Sequence, residues 1–255
     1  MQNVAPAAIP GDPSRKLEIP EHDSKPSFQT EYRSKVGSLN HLTNQTRPDI
    51  AFQVGYSGKY NSRAATDHNN AVNQIYQYLQ RTTNIGLFFP RTNEKLTLEC
   101  FVDADHANCL DTRRSTGGGV FFLGKAPVSW FSRRQTFVAT STCHAEYGAA
   151  ADNAREAVWL MGFINDLAVP EINIGNVVMY IDNNAALKLT RNPEGHSRNK
   201  HVELRHHYIR MKVKEGVLVT KRVDTQDNVA DILTKPLKGI LFEKFRQRLV
   251  ERFQG

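Results

Sequence analysis

Apolar and polar positions change their period along the 255-residue chain. Between residues 32 and 79, apolar side chains such as Val72, Ile75 and Leu79 recur at three- and four-residue intervals, which predicts a small unit of amphipathic helices. From Leu96 to Val102 apolar residues occupy every second position, which predicts a β-strand that leads into Asp103. Residues 1–29 are rich in Pro and show neither period, which predicts an extended linker.

The pattern beyond Asp103 predicts strands that alternate with helices. The elements in order are strands over 118–123 and 128–132, an Ala-rich helix over 142–167, a strand over 177–181, helices over 182–191 and 201–214, a strand over 217–223, a short helix over 228–234 and an amphipathic helix over 242–253. This order predicts an α/β fold with one five-stranded mixed sheet flanked by helices. We therefore expect three parts: a linker over 1–29, a helical region over 30–92, and an α/β domain over 93–255 that includes the terminal helix.

The composition narrows the class of function. The net charge of +7 makes a polyanionic partner plausible. The three cysteines form no Cys-x-x-Cys pair, which argues against a disulfide framework or a zinc ribbon and suits a reducing compartment. No apolar run approaches the roughly 20 residues that a membrane helix needs, so no membrane partner is expected. The amino terminus shows no secretory signal, which predicts an intracellular location.

Four acidic residues lie where predicted strands end or helices begin. Asp103 ends the first strand of the α/β domain, Glu146 lies in the first turns of the long helix, Asp182 follows the fourth strand, and Asp231 opens the short helix after the fifth strand. Ligands gather at such junctions in open sheets, so the four carboxylates can converge. Each has a simpler explanation when taken alone: Asp103 as a residue that merely ends a strand, Glu146 as a carboxylate favoured by the helix dipole, Asp182 as a helix N-cap, and Asp231 as a solvated acid in the first turn of a helix.

Converged carboxylates repel one another and stay ionised together only with cations between them. Oxygen ligands without Cys or His favour Mg²⁺ or Mn²⁺. Two such ions, roughly 3.5–4 Å apart, serve phosphodiester hydrolysis by activating a water and stabilising the departing oxygen.

Seven sequence stretches point to one family. They are Tyr32–Leu39, Thr46–Ile50, Arg113–Gly118, Ala145–Tyr147, Ile181–Ala186, Lys200–Arg205 and Ala230–Pro236. From Tyr32 onward the chain resembles the carboxy-terminal end of copia-type (Pseudoviridae) retrotransposon polyproteins. The Tyr-x-Asp-Asp motif of the polymerase palm is absent from this sequence.

The resemblance implies a ribonuclease H-like domain, preceded by the helical thumb or connection region of a reverse transcriptase. It implies that Asp103, Glu146, Asp182 and Asp231 are both the catalytic and the metal-binding residues, with two Mg²⁺ ions for which Mn²⁺ can substitute. The implied activity is endonucleolytic hydrolysis of the RNA strand of RNA–DNA hybrids during reverse transcription. The expected partners are the hybrid and the polymerase domain, and the expected location is a cytoplasmic virus-like particle or the nucleus.

Basic and polar residues near these acids are candidate nucleic-acid contacts, since a hybrid is gripped through its phosphates. They are Arg113, Arg114, Ser115, Asn183, His196, Arg198, Lys200, His201 and Arg205. For the run from His196 to Arg205, the alternative is a solvated basic helix face.

Two other functions remain open at this point. One is a DNA-cutting, integrase-like enzyme of the same fold, against which the fourth acid argues. The other is a catalytically silent domain that binds hybrid or supports a polymerase, against which the complete acid set argues.

Overall fold

The computed structural model describes residues 6–22, 24–107, 109, 111–169, 172, 174–191 and 208–253. The chain divides into two compact units. The first unit comprises Met1–Phe88 together with Lys235–Gly255, and the second comprises Phe89–Thr234. In sequence, therefore, the second unit is inserted between two parts of the first.

The helices and strands of the described residues are numbered in chain order. The helices are α1 (Pro26–Gln45), α2 (Ala51–Gly58), α3 (Thr66–Arg81), α4 (Thr142–Asp166), α5 (Asn184–Arg191), α6 (208–214) and α7 (Gly239–Leu249). The strands are β1 (Ile85–Gly86), β2 (Leu98–Asp105), β3 (Thr116–Leu123), β4 (Ala126–Arg134), β5 (Val177–Ile181), β6 (Leu218–Arg222) and β7 (Glu251–Arg252). Short 3₁₀ helices span Pro48–Ile50, Thr225–Asp227 and Val229–Leu233. Within the described ranges, none of the helices combines the length and the apolar character that a bilayer crossing requires.

A buried ion pair fixes the start of the short 3₁₀ helix in the first unit. The Arg47 guanidinium donates to both carboxylate oxygens of Asp49, at 2.9 and 2.8 Å, and to the Thr82 carbonyl at 3.1 Å. The Tyr78 hydroxyl donates to the same Asp49 carboxylate at 2.5 Å. The buried charges are paired, and further donors satisfy the Asp49 carboxylate. The network links the end of α1, the 3₁₀ helix and α3.

Residues 6–25 differ from the predicted linker, because the described part of this segment is bound to the helices. Leu17 is buried; its backbone N–H donates to the Tyr56 hydroxyl at 3.0 Å, and its carbonyl accepts from the Tyr60 hydroxyl at 2.6 Å. Helix α1 begins at Pro26, a residue type suited to the first helical turn. At Leu17 the backbone therefore bonds to tyrosine side chains and not to a neighbouring strand.

The carboxy-terminal helix packs in the first unit, although the sequence assigned it to the α/β domain. Phe242 of α7 meets Tyr78 edge-on, with 5.6 Å between ring centroids. The helix ends at Leu249, not at Phe253, and β7 then pairs antiparallel with β1. Helical periodicity shows that one face of α7 is buried, but it does not show which surface covers that face.

The second unit contains one five-stranded sheet in the order β4-β3-β2-β5-β6. Strands β2, β3 and β4 form the predicted antiparallel meander, and β5 and β6 run parallel to β2. Helix α4 packs its Ala-rich face on β2. The predicted ribonuclease H-like α/β fold, a mixed five-stranded sheet flanked by helices with a helical region before it, is confirmed.

Two adjacent glycines in β3 let elements approach the sheet on both faces. A Cβ on Gly118 would lie 2.8 Å from the Leu233 Cβ, in the 3₁₀ helix Val229–Leu233. A Cβ on Gly119 would collide with the Asn153 side chain of α4. Successive strand residues point to opposite faces. The 3₁₀ helix and α4 therefore cover opposite faces of the sheet.

Candidate metal centre

Three of the four predicted acids meet at the carboxyl ends of β2 and β5. These strands are parallel neighbours in which Val102 pairs with Ile181, so Asp103 and Asp182 follow paired positions. Asp231 approaches from the 3₁₀ helix Val229–Leu233. One carboxylate oxygen from each aspartate lies within 4.8 Å of the other two. We call Asp103, Asp182 and Asp231 the aspartate cluster.

The members of the aspartate cluster differ in exposure. Asp103 and Asp231 are 2% and 1% exposed, whereas Asp182 is half-buried. The Asp182 carboxylate accepts a hydrogen bond from the Thr225 hydroxyl at 3.0 Å. Asp182 is therefore the member of the cluster that a ligand from solvent reaches most directly.

The helix-cap explanation for Asp182 is wrong. Helix α5 begins at Asn184, and the Asn183 side-chain oxygen accepts from the Ala186 N–H at 3.0 Å. Asn183 therefore caps the helix. The Asp182 carboxylate instead points into the aspartate cluster.

Glu146 lies outside the aspartate cluster in this structure. It is 4% exposed, in the second turn of α4, which begins after an N-cap at Ser141. Helix α4 covers the face of the sheet opposite the 3₁₀ helix that carries Asp231, so Glu146 approaches the strand ends from the other side. Its part in the site remains a prediction.

The chemistry of the aspartate cluster fits a divalent cation. The group offers three carboxylate oxygens, and it contains no Cys or His. Two of its three carboxylates are almost fully buried, where like charges at this separation repel strongly. Hard oxygen ligands of this kind suit Mg²⁺ or Mn²⁺. A bound cation would remove the repulsion that the cluster otherwise carries.

The chain is similar to transposon proteins over nearly its whole length. It is 36% identical to the Pol polyprotein of transposon RE2 from Arabidopsis thaliana over 249 residues, which is 98% of this chain and 17% of that protein. It is also 36% identical over 212 residues to the Pol polyprotein of transposon TNT 1-94 from Nicotiana tabacum, covering 83% of this chain and 16% of that protein. This chain belongs to the copia-type retrotransposon Pol polyproteins. It spans about one sixth of the length of these relatives.

Among solved structures, the amino-terminal ribonuclease H domain of rv2228c from Mycobacterium tuberculosis, fused to maltose-binding protein, matches with a TM-score of 0.40 and 11% identity. The match covers 60% of this chain and 97% of that chain. No family model matches the chain.

The predicted nucleic-acid contacts of this Pol segment differ in their exposure to solvent. Arg113 is exposed, with a left-handed backbone (φ 53°), and Arg114 is half-buried. Ser115 is fully buried; its hydroxyl accepts from the Ala107 N–H at 3.1 Å, and its carbonyl accepts from the Gln135 N–H at 2.8 Å. Ser115 therefore supports the loop after β2 and does not face solvent. This is a correction to its predicted role as a ligand contact.

The other predicted contacts divide into two groups. Asn183 has its side-chain oxygen committed to capping α5. The remaining residues lie outside the described part of the chain: His196, Arg198, Lys200, His201 and Arg205.

The structure contains an arginine pocket that was not predicted from the sequence. Three cations, Arg133, Arg134 and Arg155, line a cavity of about 440 Å³ between β4 and α4. Arg133 pairs across the sheet with Gly117, which also lines the cavity and neighbours the glycine paired with Asp103. Two strand spacings, about 10 Å, separate the Arg133 and Asp103 backbones across the sheet. The adjacent basic pair at the end of a predicted strand was the available signal.

Two histidines lie at the entrance to α4. The His106 ring nitrogen Nε2 is 3.1 Å from the Ala139 carbonyl oxygen, and His144 stacks on Phe137 with 5.1 Å between centroids. Burial, with a smaller effect from neighbouring His106, lowers the pKa of His144 below its usual value. His144 is therefore neutral at physiological pH and adds no charge to this end of the sheet.

Proposed function

We propose that the second unit hydrolyses the RNA strand of RNA–DNA hybrids during reverse transcription, with two Mg²⁺ ions that Mn²⁺ can replace. The observation that carries this proposal is the aspartate cluster, in which three carboxylates converge within 4.8 Å at the carboxyl edge of the sheet. A group of buried like charges is unfavourable for the fold alone, so it indicates a cationic ligand. The copia-type family supplies the reaction for which such a ligand is used.

In the proposed mechanism the three aspartates hold the cations on a rigid edge. The cations, when bound, activate a water and stabilise the departing oxygen. Asp103 and Asp231 would supply buried, fixed oxygens, because Asp103 lies within the central strand β2 and Asp231 lies in the 3₁₀ helix that packs against this strand. Asp182 faces the approaching substrate, because it is the most exposed of the three. Glu146 is proposed as a fourth carboxylate, contributed from the opposite face of the sheet.

Binding of the hybrid is proposed to rest on phosphate contacts. Three arginines line the arginine pocket, of which Arg155 is ion-paired with Asp152, and guanidinium groups bind phosphates bidentately. Asp152 and Glu156 also line the pocket, so its surplus of positive charge is small. Arg113 and the basic run from His196 to Arg205 are proposed to add further contacts, and 2′-hydroxyl groups to identify the RNA strand. The polymerase domain of the same polyprotein is the proposed protein partner, within a virus-like particle or the nucleus.

The proposal is tested by cleavage of a hybrid with a label on the RNA strand, in Mg²⁺ and in EDTA. Asp182→Asn removes one charge from the aspartate cluster without changing the size of the side chain. We expect its cleavage rate to fall to background, while its affinity for the hybrid is kept. Asp166→Asn is the matched control, because Asp166 is exposed at the end of α4 that lies farthest from Glu146. We expect the control to cut like the unchanged chain.

The same assay separates the alternatives. Cleavage of duplex DNA in preference to hybrid would favour an integrase-like enzyme. Binding of hybrid without cleavage by the unchanged chain in Mg²⁺ would favour a silent domain. An Asp182→Asn rate equal to that of the unchanged chain would overturn the proposed mechanism.

A further inference from the structure

We propose that Asn228 and Thr234 are positioning residues that fasten the 3₁₀ helix Val229–Leu233 to β2 and thereby set the cation affinity of the aspartate cluster. Both side chains are fully buried, and they lie at the two ends of the 3₁₀ helix that carries Asp231. The inference deepens the proposed function and rests on the same site.

Asn228 fastens the start of the 3₁₀ helix. Its side-chain N–H donates to the Val102 carbonyl at 2.9 Å, in the residue directly before Asp103. Its side-chain oxygen accepts from the Ala230 N–H at 3.3 Å, which caps the 3₁₀ helix. One amide therefore ties the backbone of β2 to the first turn of the segment that carries Asp231.

Thr234 fastens the other end of the segment. Its hydroxyl donates to the Asp103 carboxylate, and it lies 3.2 Å from the Asp231 carbonyl oxygen. The Asn228 and Thr234 side chains thus form hydrogen bonds to consecutive residues of β2, Val102 and Asp103. Asp231 lies midway between Asn228 and Thr234 along the chain, three residues from each.

Repulsion explains why such fastening is needed. Asp103 and Asp231 are both buried and both belong to a group of carboxylates within 4.8 Å. Without a cation, repulsion between the two charged carboxylates would push the 3₁₀ helix away from β2. The neutral donors of Asn228 and Thr234 hold the segment in place without adding charge. They therefore pre-organise the carboxylates for the cation, as outer hydrogen bonds do around metal ligands.

The size of the expected loss in cation affinity follows from comparable hydrogen bonds to metal ligands in other proteins. Loss of such a partner lowers metal affinity by about 10- to 100-fold. Neither Asn228 nor Thr234 is proposed to touch the substrate, so we expect a lower cation affinity rather than a lost reaction. Raising the Mg²⁺ concentration should therefore restore much of the cleavage rate of a variant at Asn228 or Thr234.

The experiment is a Mn²⁺ titration by isothermal calorimetry of the full chain and three variants. Thr234→Val removes the hydroxyl while keeping the shape of the side chain, and Thr234→Ser keeps the hydroxyl. Thr190→Val is the matched control, because Thr190 is an equally buried threonine whose hydroxyl bonds to Leu187 and Thr220 instead. Circular dichroism of each variant confirms that it is folded.

We expect Thr234→Val to bind Mn²⁺ about 10- to 100-fold more weakly, and Thr234→Ser and Thr190→Val to bind within a few-fold of the unchanged chain. Unaltered affinity in Thr234→Val, an equal loss in Thr190→Val, or no Mn²⁺ binding by the unchanged chain would each overturn the inference. A loss of binding in Thr234→Val alone supports the inference even if the unchanged chain cuts no hybrid. That second result would refute only the proposed nuclease function.

Discussion

At the scale of single residues, the informative feature is the burial of like charges. Asp103 and Asp231 have lost almost all contact with water, yet they belong to one group of close carboxylates. Apolar side chains of similar volume would stabilise the fold at least as well at these positions. The aspartate cluster therefore has a cost in stability that a bound cation would offset. Asn228 and Thr234 limit the movement that this repulsion would cause.

The position of Asp231 also depends on one missing side chain. Gly118 pairs with Asp103, and a Cβ there would lie 2.8 Å from the Leu233 Cβ and 2.9 Å from the Thr234 Cγ2. We predict that Gly118→Ala displaces the 3₁₀ helix, lowers the free energy of unfolding by about 1–3 kcal/mol and weakens Mn²⁺ binding. Urea unfolding and calorimetry measure the two effects.

Gly37→Ala is the control for the glycine prediction. Gly37 lies in α1, where a Cβ would meet no atom within 4 Å, so we expect a gain of about 0.5–1 kcal/mol and unchanged Mn²⁺ binding. A Gly118→Ala chain as stable as the unchanged chain, with full Mn²⁺ affinity, would show that the 3₁₀ helix does not need this close approach.

At the scale of secondary-structure elements, the sequence predicted what depends on local periodicity. The alternation that ends at Asp103 and the β-branched run that ends at Ile181 located two neighbouring strand ends, and so two members of the aspartate cluster. Asp231 was also found, because it lies in a short helical segment directly after the last strand of the sheet. These positions can be predicted from the residue pattern of the neighbouring segment alone.

Features that depend on distant contacts were not predictable in the same way. Local pattern cannot show that α4 covers the face of the sheet opposite the 3₁₀ helix that carries Asp231. It also cannot show that the Ser115 hydroxyl turns inward to the Ala107 backbone. The arginine pocket exists only because β4 and α4 meet. The position of α4 and the arginine pocket are set by packing between segments that are far apart in sequence, and the inward turn of Ser115 by the conformation of the loop after β2.

At the scale of the whole molecule, the first unit combines residues that precede the second unit in sequence with residues that follow it. Helix α7 meets α3 through Phe242 and Tyr78, β7 pairs with β1, and the Phe253 N–H donates to the Asn84 carbonyl at 2.8 Å. The carboxy-terminal residues thus belong to the same unit as the residues before Phe89. The two parts of this unit are separated in sequence by residues 89–234.

We predict that a chain ending at Thr234 destabilises α1–α3 while the second unit stays folded, because the removed residues belong to the first unit. Both tryptophans, Trp130 and Trp159, lie in the second unit, so tryptophan fluorescence reports on that unit alone. Far-ultraviolet circular dichroism should show an earlier loss of helix in urea, with an unchanged fluorescence transition. A peptide of residues 235–255 added in trans should reverse the shift. Identical transitions in both chains would contradict this account of the first unit.

The central claim is that the aspartate cluster holds the divalent cations on which cleavage depends. Anomalous X-ray diffraction from crystals of the full chain grown with Mn²⁺ tests this claim most directly. The account predicts anomalous density within coordination distance of the carboxylates of Asp103, Asp182 and Asp231, and the same data would show whether Glu146 joins them. Fully occupied Mn²⁺ elsewhere on the protein, with these three carboxylates free of metal, would contradict it.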